Sequence, residues 1–167
     1  MLASCLDVCL KFAKGRLFAL LRRDAARSAV QLHHQLPRII DAAVEVHRAI
    51  GPGLLESTYL ECLESELAER RIRYERQRAI PLVYKGRRLA TNYRVDLVIE
   101  DLVIVEVKSH AATLPIHEAQ VITYLKLTGC PVGLLINVNV TRLMDGVRRL
   151  VNPKMRHTGG SRSSDEK

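Results

Sequence analysis

Two neighbouring apolar segments restrict the fold of this chain more than any other feature. In YRVDLVIE (residues 93–100) and LVIVEVK (residues 102–108), β-branched residues alternate with others in the two-residue period of an extended strand. Only the polar pair Glu100-Asp101 separates the segments, so they form an antiparallel hairpin. Val95, Leu97 and Ile99 make one apolar row, and Val103, Val105 and Val107 make another. Burying both rows on the same side requires opposed residue numbers that sum to an even value. An odd register would split each row between core and solvent. A turn centred on Asp101 sets Asp96 directly across from Glu106. A turn centred on Glu100 sets Arg94 there, with Asp96 one step along. Either way the two carboxylates share a face with Val98, Ile104 and Lys108.

That face carries chemistry. Carboxylates within about 5–7 Å of each other are costly to keep ionised without a cation. A divalent ion such as Mg²⁺, held by oxygens and waters, relieves the repulsion. Lys108 projects beside Glu106, where an ammonium could position or activate a water or neutralise charge developing on a phosphate. A solvated hairpin face with a Glu–Lys pair would contain the same residues. Val98 and Ile104 weigh against it by making this face partly apolar.

The remaining pattern surrounds the hairpin with helices and one more strand. Ile39, Ile40, Ala43, Val44, Val46, His47 and Ile50 recur at helical spacing up to Gly51-Pro52-Gly53, and a second helix covers residues 55–70. Residues 72–84 read as a strand that turns at Lys85-Gly86 into 88–99. After a loop at 110–113, Pro115 opens a helix that Gly129 stops near Thr128. Residues 131–138 are almost wholly apolar, as in a strand buried on both faces. A final helix is expected over residues 141–151. The order is ααβββαβα, an α/β fold with a mixed sheet of about four strands flanked by helices.

The domain is expected at residues 37–152. Before it, residues 1–36 form a basic extension, either an unpacked segment or an amphipathic helix able to lie on a membrane or dock a partner. After it, 153–167 form a polar tail expected to be disordered. The +8 charge over 167 residues suggests an anionic partner, but its distribution weakens that inference. Residues 1–38 carry seven Lys/Arg against two acids, 152–167 four against two, and the middle fifteen against fourteen. Within the domain, Arg70, Arg71, Arg73, Arg76, Arg78, Lys85, Arg87 and Arg88 could guide a phosphate backbone or merely solvate a strand edge. Tryptophan is absent, which disfavours an aromatic base-stacking platform. The four cysteines match no zinc spacing; Cys62 and Cys130 read as core residues, and free thiols suit a reducing cytoplasm. No apolar run is long enough to span a bilayer.

Asp96 followed by Glu106-Val107-Lys108 resembles the PD-(D/E)XK nuclease core, without the proline before the aspartate. The segment Gly53-Leu-Leu-Glu56-Ser-Thr-Tyr59 is similar to the motif that names the GxxExxY proteins, a bacterial group of that superfamily. The resemblance implies a restriction-endonuclease-like core and Mg²⁺- or Mn²⁺-dependent phosphodiester hydrolysis. It makes Asp96, Glu106, the main-chain carbonyl of Val107 and Glu56 the metal ligands, with Lys108 as the catalytic lysine. Gln120 and Tyr124 match the QxxxY element of RecB-like exonucleases and, four apart on a helix, share a face toward substrate phosphate. Arg94 is a further phosphate-contact candidate, and His117 and Glu118 are candidates around the site. Tyr59 and His47 read first as packed helix residues. Three functions follow: a nuclease on DNA in preference to RNA, a non-cleaving nucleic-acid-binding or repair accessory module, or an interaction domain docking a partner or membrane. A protein partner or homodimer is compatible with each.

Overall fold

The computed structural model describes the backbone of residues 3–158 and the side chains of residues 27–155 apart from Thr91. The expected tail beyond Thr158 and the apolar and basic side chains of the first 26 residues lie outside the described residues. The chain divides into two compact units, Met1–Pro37 and Arg38–Lys167. Helix α1 runs Ala3–Ile50, with Pro37 inside it at the division. A proline there withholds one helical N–H donor.

In the second unit, α2 (Glu56–Glu69) leads into β1 (Tyr74–Tyr84), β2 (Arg87–Ile99) and β3 (Val103–Lys108). Then come α3 (Pro115–Thr128), β4 (Val132–Asn137), the single turn α4 (Leu143–Gly146) and β5 (Val147–Val151). The sheet has five strands in the order β1-β2-β3-β4-β5. Only the β3–β4 pair is parallel, and α3 makes that crossover. Gly129 ends α3 at φ 79°, where its N–H reaches the Leu125 carbonyl at 3.0 Å.

The expected helix over 141–151 is corrected to α4 followed by strand β5. Leu143, Val147, Leu150 and Val151 do fall at helical spacing. However, β4 is buried along its whole length, and a four-stranded sheet would leave its backbone groups unpaired on one edge. β5 supplies their partners, pairing Val132 with Val151 through to Ile136 with Val147. Asn152 then ties β5 to α3: its Nδ2 donates to the carbonyls of Leu125 at 2.7 Å and Cys130 at 3.0 Å. Pro153–Thr158, read from sequence as part of a disordered tail, forms a 3₁₀ helix. Its start is fixed by the Lys154 N–H on Asn152 Oδ1.

The β2–β3 turn decides the register. Glu100 and Asp101 take φ of 53° and 56°, and the Leu102 N–H closes the turn on the Ile99 carbonyl at 3.0 Å. Leu102 is then an extra residue, because the ladder pairs Ile99 with Val103, Val98 with Ile104 and Leu97 with Val105. Of the two even registers, this is the one centred on Asp101, which continued one residue past the Leu97–Val105 pair sets Asp96 across from Glu106. Ile104, Val98, Val95 and Ile80 pack under Val121, Tyr124 and Leu125 of α3. Ile39, Tyr59, Leu63 and Leu67 of the first two helices are fully buried. His47 packs as expected, 6% exposed, with neither ring nitrogen hydrogen-bonded. Cys130 is buried and Cys62 half-buried, both as free thiols.

Candidate active site

Where the β2–β3 ladder ends, side chains replace backbone partners. Asp96 Oδ2 accepts the Val107 N–H at 2.9 Å. A strand residue directs its N–H and C=O to the same edge, so the Val107 carbonyl also faces Asp96. Glu106 is 3% exposed; its Oε1 accepts Lys108 Nζ at 2.9 Å, and its Oε2 is buried without a hydrogen-bond partner. Glu56, the first residue of α2, is brought in by the residue after Lys108. The Ser109 N–H donates to Glu56 Oε1 at 2.8 Å, and Ser109 Oγ donates to the Leu54 carbonyl at 2.9 Å.

The electrostatics tie these groups into one cluster. Burial and then the Asp96 charge push Glu106 up to about 6, against the pull of Lys108 and of the Asp96 backbone N–H. Burial also raises Asp96, with Glu56 adding to it and the Val107 amide and Lys108 opposing. Burial works against charge on Lys108, yet its hydrogen bond to Glu106 and the fields of Glu106, Glu56 and Asp96 raise it overall. Lys108 is therefore an ammonium at neutral pH.

A stability prediction follows from Glu106. Its folded pKa of about 6 lies above the ordinary 4.5, so the native state holds the proton longer than the unfolded state. The associated stability is present below about pH 4.5 and lost as pH rises through 6, up to about 2 kcal/mol. Metal-free wild type should lose that amount relative to Glu106→Gln between pH 4.5 and 7 in urea unfolding. A difference that stays flat across this range would contradict the assignment.

A hard cation fits this donor set. Glu106 Oε2 is a buried acceptor in want of a partner, and the Asp96 carboxylate is near enough to act on the Glu106 charge. Among the described residues, no three His, Cys, Asp or Glu side chains form a ready metal cage.

Helix α3 brings Tyr124 near the cluster. Gln120 Nε2 donates to the Tyr124 hydroxyl at 2.6 Å, and the Tyr124 ring lies 5.7 Å from that of Tyr93. These residues with Ile116, Ala119 and Thr123 bound a cleft of about 360 Å³. Tyr124 lies within the fields of Glu106, Lys108 and Asp96. Arg94 is not brought to the carboxylates; it is exposed and reaches Gln77 Oε1 at 3.4 Å. Strict alternation placed it beside Asp96. Instead Tyr93 and Val95 turn toward α3 along with Val98, so alternation lapses at Asp96, opposite Gln77 at φ 48°.

The family model for the PD-(D/E)XK nuclease superfamily matches residues 33–150. The chain belongs to that superfamily. Its mixed sheet flanked by helices is the restriction-endonuclease-like arrangement of such nucleases. A crystal structure of SSO0001 is similar at 20% identity and a TM-score of 0.48, over 74% of this chain and 61% of that one. No curated protein matches the sequence.

Within this PD-(D/E)XK domain, several supporting residues escaped the sequence reading. Ser109 anchors Glu56. Asn137 is 2% exposed at the end of an apolar strand; its Nδ2 donates to the His110 carbonyl at 2.9 Å and its Oδ1 accepts the His110 N–H at 3.2 Å. A lone amide ending the run VGLLIN was the available signal. His110 stacks on His117 at 5.1 Å and places Nε2 3.7 Å from Glu56 Oε1. Arg76 contributes to the field at Asp96 while its Nε lies 3.1 Å from Glu64 Oε1. Glu118 lies in the first turn of α3. Among the described residues, no helix is long and apolar enough to cross a membrane.

Proposed function

We propose that this chain is a Mg²⁺- or Mn²⁺-dependent nuclease that hydrolyses phosphodiester bonds of nucleic acid, DNA in preference to RNA. The observation that carries the proposal is Glu106: buried, held by Lys108 through one oxygen and lacking any partner on the other. A buried carboxylate oxygen of this kind is costly unless the working state supplies a cation. Asp96, Glu106 and the Val107 carbonyl would hold the ion, with Glu56 contributing through water. The ion supplies Lewis acidity and a more acidic bound water.

The other residues prepare the substrate. Lys108, held as an ammonium by the carboxylates around it, would donate to a phosphate oxygen or orient the attacking water. Gln120 and Tyr124, already joined to each other, present donors from α3 toward the sugar-phosphate chain. The Ser109–Glu56 contact fixes the start of α2 against the end of β3, so the carboxylates need little rearrangement. Preorganisation of this kind is where much of the barrier lowering arises.

The test is cleavage of single-stranded, duplex and branched DNA and of RNA by the full chain with Mg²⁺ or Mn²⁺. Cleavage should stop with EDTA, return with added metal and be absent in Asp96→Ala. Cleavage surviving in Asp96→Ala would remove the site from the reaction. Binding without cleavage on every substrate would instead make the chain an accessory binding module.

A further inference from the structure

Strands β1 and β2 outrun the sheet. β3 pairs with β2 only at residues 97–99, and the cover of α3 reaches no further than Ile80 and Tyr93. Beyond that, residues 81–92 continue as a two-stranded ribbon, with Pro81 across from Asn92 and Tyr84 across from Arg87. Every described side chain in this ribbon is exposed except the half-buried Leu82. The tip is tight, with Lys85 and Gly86 at φ 49° and 75°. At about 3.3 Å per residue the ribbon extends roughly 15 Å.

The charge on this ribbon is one-sided. Residues 81–92 contain three Lys/Arg and no Asp or Glu. The cations nearer the body are already engaged: Arg73 and Arg78 with Asp101 at 2.8 and 2.9 Å, Arg76 with Glu64, Arg70 with Glu66 at 2.7 Å. Lys85, Arg87 and Arg88 meet no carboxylate among the described residues; Lys85 Nζ lies 5.5 Å from the Tyr84 ring centroid. Arg87 and Arg88 are adjacent in an extended strand, so they project to opposite faces of the ribbon.

We propose that residues 81–92 form an arm that enters a groove of double-stranded nucleic acid, with Arg87 and Arg88 contacting phosphates on its two sides. This rests on the nuclease reading above and specifies its substrate as duplex. Cations on both faces suit an object flanked by phosphates on both sides, not one lying on a single strand. The major groove, about 12 Å wide, admits a two-stranded β-ribbon. Exposed Val83, Tyr84 and Leu89 give the arm apolar surface for base edges. A second copy of the chain is the poorer occupant, because it would bring like-charged arms together without a carboxylate between them. The arm is continuous with the site: Asp96 lies three residues beyond Tyr93, which forms one wall of the α3 cleft.

The test is binding of the full-length protein, in EDTA to prevent cleavage, to a labelled 20-base-pair duplex (roughly two helical turns) and to either single strand. Arg87→Gln/Arg88→Gln should weaken duplex binding at least roughly tenfold and reduce the slope of log affinity against log salt by about 2. Single-strand affinity should change less than about threefold. Arg148→Gln/Arg149→Gln makes the same change of charge on β5, at the opposite edge of the sheet, and should leave duplex affinity nearly intact. Equal losses from the two double variants, or equal losses on duplex and single strand, would overturn the arm. So would a concentration-dependent dimer that the arm variant abolishes. If the variant disturbs the hairpin, hydrogen exchange on wild type decides: duplex, but not single strand, should protect residues 81–92, and absence of that protection overturns the proposal. The two readings fail separately. Arm-dependent duplex binding without metal-dependent cleavage removes only the nuclease, and cleavage with arm-independent binding removes only the arm.

Discussion

Replacing Lys108 with alanine should reduce metal-dependent cleavage at least roughly 10³-fold while the protein stays folded. The magnitude is that of losing a donor aimed at developing charge in a water-poor site. Lys108 is mostly buried, and its Nζ lies 2.9 Å from Glu106 Oε1. Stability should suffer less than removal of an ion-pair partner usually implies. Glu106 already sits near 6 and can take up a proton once its partner is gone. Lys108→Gln, which retains a donor toward Glu106, should fold at least as well and be nearly as inactive. Calorimetric titration with Mn²⁺ separates the roles: Lys108→Ala should still bind metal, whereas Glu106→Ala should not. Cleavage within tenfold of wild type in Lys108→Ala would remove the lysine from the chemistry.

How much of this was legible in the sequence depends on whether a feature is set by side-chain pattern or by backbone closure. The Asp96–Glu106 juxtaposition was legible because Leu97 and Ile99 can share a face with Val103 and Val105 only in an even register, although Val95 leaves that row for α3. Leu102, spent as an extra residue after a two-residue turn, is how the backbone meets that demand. Strand β5 was not legible, since its apolar residues also satisfy a helix. What selects the strand is the unpaired edge of β4, which no local window contains. Arg94 was misplaced because the pattern assumes unbroken alternation, and the lapse at Asp96 lies in backbone angles opposite Gln77. Ser109 and Asn137 were missed for a related reason. They bind main-chain groups, and main-chain positions around the site exist only once the strands are paired.

Tyr59→Ala should destabilise the protein by about 4 kcal/mol, the cost of deleting a fully buried aromatic side chain, and Tyr59→Phe by only about 1. The Tyr59 ring is 0% exposed, and its hydroxyl donates to the Ala43 carbonyl at 2.6 Å, binding α2 to the helix before it. Burial holds the hydroxyl protonated, far above the usual phenol range. It is therefore no acid or base for the reaction. The three residues of the Gly53–Glu56–Tyr59 motif thus have separate physical reasons. Gly53 takes φ 98°, a backbone state that a side chain would strain, and so turns the chain into α2. Glu56 and Tyr59, three apart, lie on the same side of the helix, so seating the tyrosine against Ala43 aims the glutamate at Ser109. Tyr59→Phe should consequently retain cleavage at a temperature where it is folded. Tyr59→Ala should lose more cleavage than its unfolded fraction explains, because Glu56 loses its orientation with the ring. Urea unfolding and cleavage measured on the same samples check both points. A stable Tyr59→Phe that no longer cleaves would give the hydroxyl a chemical role that its burial denies it.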